Sequence, residues 1–375
     1  LKNSRLNERQ GRMAWQGIEG HDAIARSFIR AAARGRVAGS YLFVGPPGVG
    51  KTTFALELAR ALACHDLGPD LAACGRCPSC LQAAAGSHPD IDVVRKPDDK
   101  STIPLETFIG DAAHRMREGL CWRILLRPTV AVRKTAVILD ADHLAEEGAN
   151  CLLKTLEEPP AGAVIILVGT ALERQLPTIR SRCQIVRFRP LPTDTVCRIL
   201  EAEERAAEMP TAAPADHEAL ARCAAASGGS LARARLLLDP ELAAFRTRLI
   251  ELLGRRPLPG IELARDTIAV VEAAGKEAPP RRARLRLVFE ATLDMFRAAL
   301  RLAAAGEMPA DPAVARALAG APPDADEAVA VLRHTLAALA AVDRYANLTV
   351  LIDAWTALLE EPRLRSAESA FCRSF

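Results

Sequence analysis

Gly45-Pro46-Pro47-Gly48-Val49-Gly50-Lys51-Thr52 is the stretch on which the fold turns. It carries every fixed position of the Walker A pattern, with the apolar run 41–44 before it and a helical pattern over 52–63 behind it. Glycines let the backbone aim several N–H groups at phosphate oxygens, and the start of a helix adds the positive end of its dipole. The spacing therefore predicts a site for ATP or another nucleoside triphosphate, formed by Gly45, Pro46, Pro47, Gly48, Val49, Gly50, Lys51, Thr52 and Thr53. Lys51 is expected at the β- and γ-phosphates, and the Thr52 hydroxyl on Mg²⁺.

Outward from this loop, residues 135–139 and 163–168 repeat the character of 41–44. They are rich in branched side chains and bounded by glycine, proline or charge. Such runs read as central strands of a parallel sheet buried on both faces, with helices over 52–63 and 146–156. The layout is that of an α/β nucleotide-binding core. Beyond Pro190-Leu191-Pro192 the strand signal ends. The expected organisation is a polar, disordered leader over 1–12, with Met13 as an alternative start, then a core over 13–190. A small helical lid over 191–240 and an all-helical domain over 241–375 follow. Leucine and valine recur there at helical spacing, and the proline-rich stretch 309–323 reads as a loop between helices.

Composition narrows the function classes. With 49 basic and 46 acidic residues the net charge is +3, too mild for a chain that binds DNA by itself. No apolar run reaches the ~18 residues of a membrane helix, so a cytoplasmic protein without membrane contact is expected. Of ten cysteines, Cys64, Cys74, Cys77 and Cys80 cluster. Three thiols at two-residue gaps with a fourth upstream can close a tetrahedral site, and thiolates select zinc or an iron–sulfur cluster. Four protein ligands leave no open position, so structural Zn²⁺ in a module over 64–80 is the expectation. His65 and His88 flank it and read as surface residues. A module that itself reads DNA would need more positive charge than Arg76, the one basic residue between Cys64 and Cys80.

Three further segments complete the pattern. Val137-Ile138-Leu139-Asp140-Ala141-Asp142 is an apolar strand ending in acids, the shape of a Walker B segment. Leu153-Lys154-Thr155-Leu156-Glu157-Glu158-Pro159-Pro160 and Ser181-Arg182-Cys183 follow. In this order, with the phosphate loop and the four cysteines, they resemble bacterial clamp-loader subunits, the gamma/tau and delta-prime proteins of the DNA polymerase III holoenzyme. The resemblance runs from about residue 15 to 192, with an echo in Asp343-Arg344-Tyr345-Ala346-Asn347-Leu348-Thr349-Val350 of the delta-prime closing helices.

The resemblance implies an AAA+ (P-loop NTPase) core with an inserted zinc module, a helical lid, and a carboxyl-terminal collar that holds an assembly together. It implies that Arg182 is an arginine finger for the ATP of a neighbouring subunit, and that Thr170 lies near a sensor of the γ-phosphate. Ile18-Glu19-Gly20-His21 falls next to the adenine pocket. The implied partners are gamma/tau and delta-type subunits, the sliding clamp, and primer–template DNA through the assembly at the nucleoid-associated replisome. Two departures matter. Counting back from Leu152-Leu153-Lys154, Leu139 and Asp140 stand where a hydrolytic member has Asp-Glu, so Asp140 becomes the candidate catalytic carboxylate. In Gly228-Gly229-Ser230-Leu231-Ala232-Arg233, Ala232 replaces the expected lid arginine, and Arg233 lies about 100° round a helix from it. Both favour the delta-prime branch over a gamma/tau-type ATPase. The run Arg281-Arg282-Ala283-Arg284-Leu285-Arg286 reads as a solvated helix start rather than a DNA contact.

Overall fold

The branched and aromatic runs do form the centre of a parallel sheet, ordered β2-β3-β4-β1-β5. Its strands are β1 (Ser40–Val44), β2 (Ile91–Val94), β3 (Lys134–Ile138), β4 (Ala163–Val168) and β5 (Gln184–Arg187). This computed structural model describes residues 15–68, 70–97, 100–114, 117–206, 217–320, 322–343 and 346–372. The leader expected over 1–12 and part of the closing segment around Tyr345 lie outside them. Among the described residues, seven α-helices accompany the sheet: α1 (Asp22–Ala33), α2 (Lys51–Ala63), α3 (Pro78–Ala84), α4 (Glu106–Ile109), α5 (Leu120–Arg123), α6 (Glu146–Glu157) and α7 (Pro177–Arg180).

Successive strand residues point to opposite faces, and here each face has its own core. Tyr41, Phe43, Val137, Val164 and Ile166 pack with Phe28 of α1 and Phe54 of α2. Leu42, Val44, Ala136, Ile138, Ile165 and Leu167 pack with Phe108, Leu120 and Leu152. Covering both faces explains why β1, β3 and β4 read as unbroken apolar runs. The edge strands β2 and β5 gave no such signal, because their outward residues reach solvent. On β2, Asp92 accepts from Arg123 Nε at 2.5 Å, and β5 ends in the exposed Gln184 and Arg187.

The chain divides into two compact units, one running to Thr195 with Ser230–Ala232 added, the other Val196–Gly229 with Arg233 onward. Among the described residues the second is wholly helical. Its helices are α8 (Thr193–Ala206), which starts at the boundary, α9 (His217–Ala226), α10 (Leu231–Leu236), α11 (Pro240–Gly254), α12 (Gly260–Glu272), α13 (Ala278–Ala305), α14 (Pro312–Gly320), α15 (Ala325–Asp343) and α16 (Leu348–Cys372). One core built on Leu249, Leu263, Phe289, Phe296, Val331 and Trp355 joins α11 to α16. The Trp355 indole N–H donates to Thr335 Oγ1 at 3.1 Å, which satisfies its polar end inside that core.

The stretch 309–323 is not a plain loop. Pro312 opens α14, a position where its missing N–H costs nothing. Asp311 Oδ1 accepts from Ala313 N at 2.9 Å, and Val314 and Leu318 are buried one turn apart. In the basic run, Leu285 is fully buried and Arg284 Nη1 donates to Val270 O at 3.2 Å, while Arg281 is half-buried with its Nε donating to Gly275 O at 2.5 Å. No described helix is long and apolar enough to cross a membrane.

A buried acid fixes the far side of the sheet. Asp90 has no exposed surface, accepts from the N–H groups of Thr129, Val130 and Ala131 at 2.7–2.9 Å, and lies 3.7 Å from Lys134 Nζ. Burial alone raises its pKa, but the three N–H donors and Lys134 outweigh it and hold the carboxyl below the ordinary range. Its stabilisation is therefore present above the unfolded pKa of about 4 and is lost as pH falls through the lower folded value. Asp90→Asn is expected to cost about 3–5 kcal/mol at pH 7, the usual result of leaving a buried charge unpaired. In urea melts that deficit should shrink on acidification; a constant deficit would contradict the account.

Candidate nucleotide site and cysteine cluster

The phosphate-loop residues sit where β1 gives way to α2, at the carboxyl edge of the sheet. Gly45 N–H donates to Thr170 O at 3.1 Å, tying the loop to the end of β4. Gly50 caps α2 with φ +96°. Gly48, at φ +75°, has a second reason to lack a side chain: a Cβ there would lie 2.2 Å from Ser230 Oγ and 2.8 Å from Ala232 Cβ. Leu231 N–H donates to Gly48 O at 2.9 Å, so Ser230–Ala232 rests on the loop. Val49 turns its side chain into the core and its carbonyl toward His21 Nε2, 2.7 Å away. His21 is buried and edge-on to Phe188, and burial pushes its pKa down. Pro46, Pro47 and Thr53 are exposed, whereas Thr52 is half-buried. Trp15 is an anchor: its indole N–H donates to Asp70 O at 3.1 Å and its ring packs on Phe54.

Lys51 is buried, and its ammonium donates to Gly45 O and Pro46 O, both at 2.6 Å. Burial brings its pKa down to about 8, with Asp142 opposing the shift. A buried ammonium held by neutral carbonyls, beside a loop with no side chains in the way, is a donor set that suits a polyanion. Oxygen donors for a hard cation on this edge are the Thr52 hydroxyl and the Asp142 carboxylate.

The two acids after β3 have different surroundings. Asp142 accepts from Thr170 N at 2.9 and 3.0 Å, from Thr170 Oγ1 at 2.5 Å, and from Gln175 Nε2. Asp140 is exposed at φ +55°, with Lys96 N 3.4 Å from Oδ2. Leu139 is buried among the apolar residues of the first face. Thus Lys51, Thr170 and Asp142 come together while Asp140 stays apart. No local sequence motif marks Gln175, whose contact with Asp142 arises only on folding. In the lid segment, Ala232 lies against Gly48; Arg233 is turned instead to Glu290, 2.8 Å from Nη2, and to Asp294.

Arg182 lies at the opposite edge. β5 runs parallel to β1 with Gln184 beside Tyr41 and Arg187 beside Val44, so Arg182 precedes the amino end of its strand. At roughly 3.3 Å per residue, the strand length alone separates it from the phosphate loop by more than about 10 Å. Its Nε donates to Glu157 Oε1 at 2.5 Å, and Nη1 donates to Thr178 O at 3.0 Å and Ser181 Oγ at 3.2 Å.

The sulfurs of Cys64, Cys74, Cys77 and Cys80 all lie within 4.8 Å of one another, which suits four thiolates on one tetrahedral ion. Backbone N–H groups of Cys74, Cys77 and Cys80 donate to the sulfurs of Cys64, Cys74 and Cys77 at 3.3–3.4 Å, favouring the thiolate form. Pro78 opens α3 and Cys77 caps it. His88 is not a surface residue. It is buried, its Nδ1 accepts from Asp90 N at 2.9 Å, and its Nε2 therefore donates to Ser79 Oγ at 2.7 Å. Ser79 in turn donates to Ala63 O at 2.8 Å, so the module is stitched to the end of α2. His65 is exposed, with Nε2 2.5 Å from Val130 O. A second donor group, Cys197, Glu201 and His217, reads as a hydrogen-bonded contact between α9 and α8, with Glu201 Oε1 2.7 Å from His217 Nδ1.

Residues 20–192 match the family described as DNA polymerase III, delta subunit. A DNA polymerase III subunit gamma/tau of Mycobacterium tuberculosis is 33% identical over 264 residues, covering 68% of this chain and 43% of its own length. A subunit delta' of Pseudomonas aeruginosa is 33% identical over 219 residues, 58% of this chain and 61% of that protein. A subunit delta' of Bacillus subtilis is 31% identical over 181 residues, 48% and 51% of the two chains. The chain thus spans 43% to 61% of the length of these relatives. A parallel sheet with a glycine loop at its carboxyl edge, followed by an all-helical part, is an α/β fold of the P-loop kind. Over residues 20–192 the chain is of the clamp-loader type, similar to the delta-prime and gamma/tau subunits of DNA polymerase III.

The glycine geometry yields a paired test. Gly35 also has positive φ, at +64°, but nothing lies within 4 Å of a Cβ placed there. Gly35→Ala should cost only the left-handed strain of about 1–2 kcal/mol. Gly48→Ala should cost measurably more in thermal unfolding, since Ala232 Cβ has no rotamer by which to retreat. Equal costs would show that Ser230–Ala232 does not rest on the loop.

Proposed function

We propose that the chain is the delta-prime-type subunit of a sliding-clamp loader, binding ATP on residues 45–53 and lending Arg182 to the ATP of a neighbouring subunit. The observation that carries this reading is the placement of Lys51 and Arg182 at opposite edges of one parallel sheet. A guanidinium so placed is out of reach of its own phosphate loop. Any phosphate it serves belongs to another chain, where a positive group stabilises charge on the transferred phosphoryl group.

On its own site the chain binds and orients. Backbone N–H groups of the loop and the Lys51 ammonium hold the phosphates, Thr52 and Asp142 supply oxygens for Mg²⁺, and Thr170 lies beside them. Hydrolysis there is slow in this reading: Leu139 offers no carboxylate, Asp140 is turned to solvent, and Asp142 is engaged by Thr170 and Gln175. The four cysteines hold a structural zinc ion that orders the segment after α2. The helical domain over 241–375 forms the collar that binds gamma/tau- and delta-type subunits, and contact with the clamp and primer–template DNA comes through the assembly at the replisome.

The test is Arg182→Ala in a loader reconstituted with its gamma/tau- and delta-type partners. The complex should still co-purify, while hydrolysis at the interface that Arg182 completes falls by ~10³-fold, read as missing amplitude in a single-turnover burst. A full burst would refute the finger. A second reading, a gamma/tau-type ATPase, is favoured by the intact phosphate loop and the gamma/tau relatives. Steady-state ATP turnover by the purified chain decides between them: vigorous turnover abolished by Lys51→Ala would support the second, and turnover near background the first.

A further inference from the structure

The surroundings of Arg182 hold more than its address on the sheet. Its Nε and Nη2 both engage Glu157, and its Nη1 engages Thr178 O and Ser181 Oγ. Four of the five N–H bonds of a guanidinium are thereby committed within the chain. The side chain remains 28% exposed, and that of Glu157 49%. A phosphate oxygen pair and a carboxylate present the same planar, bidentate acceptor to this group. They compete for one face.

The competitor is rigidly mounted. Glu157 is the last residue of α6, and the two residues flanking its turn are fixed against the start of β1. Leu156 O accepts from Ser40 Oγ at 3.1 Å, and Pro159 packs so closely on Gly39 that a Cβ there would come within 2.4 Å. On the other side, Thr178 belongs to α7, whose Ile179 is buried in the second-face core. The backbone carrying both acceptors is thus anchored, and the half-exposed Arg182–Glu157 contact is the part that a new acceptor can exchange.

Resting on the reading of Arg182 as a finger, we propose that Glu157 is the positioning residue that holds Arg182 off a neighbour's phosphate until the subunits close. The carboxylate keeps the guanidinium ordered and neutralised, and release requires an acceptor of higher charge brought within reach. Because the pair is partly exposed, the hold is weak enough to exchange, on the order of a two- to fivefold effect.

The experiment is Glu157→Gln in the reconstituted loader, which keeps shape and loses charge, measured with ATP before primed DNA is added. The rate of the hydrolysis event at the Arg182 interface should rise about two- to fivefold with KM for ATP unchanged. Arg182→Ala and the Glu157→Gln/Arg182→Ala double variant should be equally inactive there. A Glu157→Gln rate that is unchanged or lower, or a changed KM with no gain in rate, overturns the holding role. If instead Arg182→Ala leaves the burst intact, the finger reading fails, whatever Glu157→Gln does.

Discussion

A parallel sheet has two unlike edges, and this chain depends on that polarity. All strands of the first unit run the same way, so every strand-to-helix turn opens on one side and every return on the other. The glycine loop, Lys51, Thr170 and Asp142 gather at the carboxyl side because β1, β3 and β4 all end there. Glu157 and Arg182 gather at the amino side because α6 and α7 lead into β4 and β5. The hydrogen-bonded register of β1 with β5 thereby sets the distance between the glycine loop with Lys51 and the Arg182 guanidinium. Neither could be moved to the other's side without reversing a strand.

What the amino-acid order reveals follows the same logic. The turn at residues 45–52 was legible because its signal is local: eight consecutive residues, with a strand before and a helix after. The cysteine cluster was legible for a similar reason, since its donors span only 17 positions, Cys64 to Cys80. Asp142 is another matter. Its partner Thr170 is 28 residues away and meets it only because β3 and β4 are neighbours, so position in the sequence singles out Asp140, two residues earlier, instead. His88 was misjudged in the same way, its partners Ser79 and Asp90 being supplied by folding rather than by spacing. Strands β2 and β5 escaped notice because half-exposed edge strands of four residues carry neither alternation nor an unbroken apolar run. At α14 the prolines misled, since a proline that opens a helix looks, in sequence, like one that ends it.

The cysteine module shows how a segment with little core of its own is held. The four clustered sulfurs would supply one constraint with an ion bound, and the chain from Ala63 through Ser79 and His88 to Asp90 supplies another that needs no ion. That second constraint runs from the end of α2 to the start of β2, so the helix behind the phosphate loop and the far edge of the sheet share one buried polar network. Such networks are unforgiving when broken, because each member is a desolvated donor or acceptor.

The edge strands have a consequence for how this protein can meet others. Asp92 is tied down by Arg123 on one flank, and Gln184 and Arg187 stand at both ends of the four-residue strand on the other. Another chain lining up beside either flank would have to strip water from those groups before gaining a single backbone bond. Lateral growth of the sheet is thus discouraged, and recognition is pushed to the two rims, where the loops are.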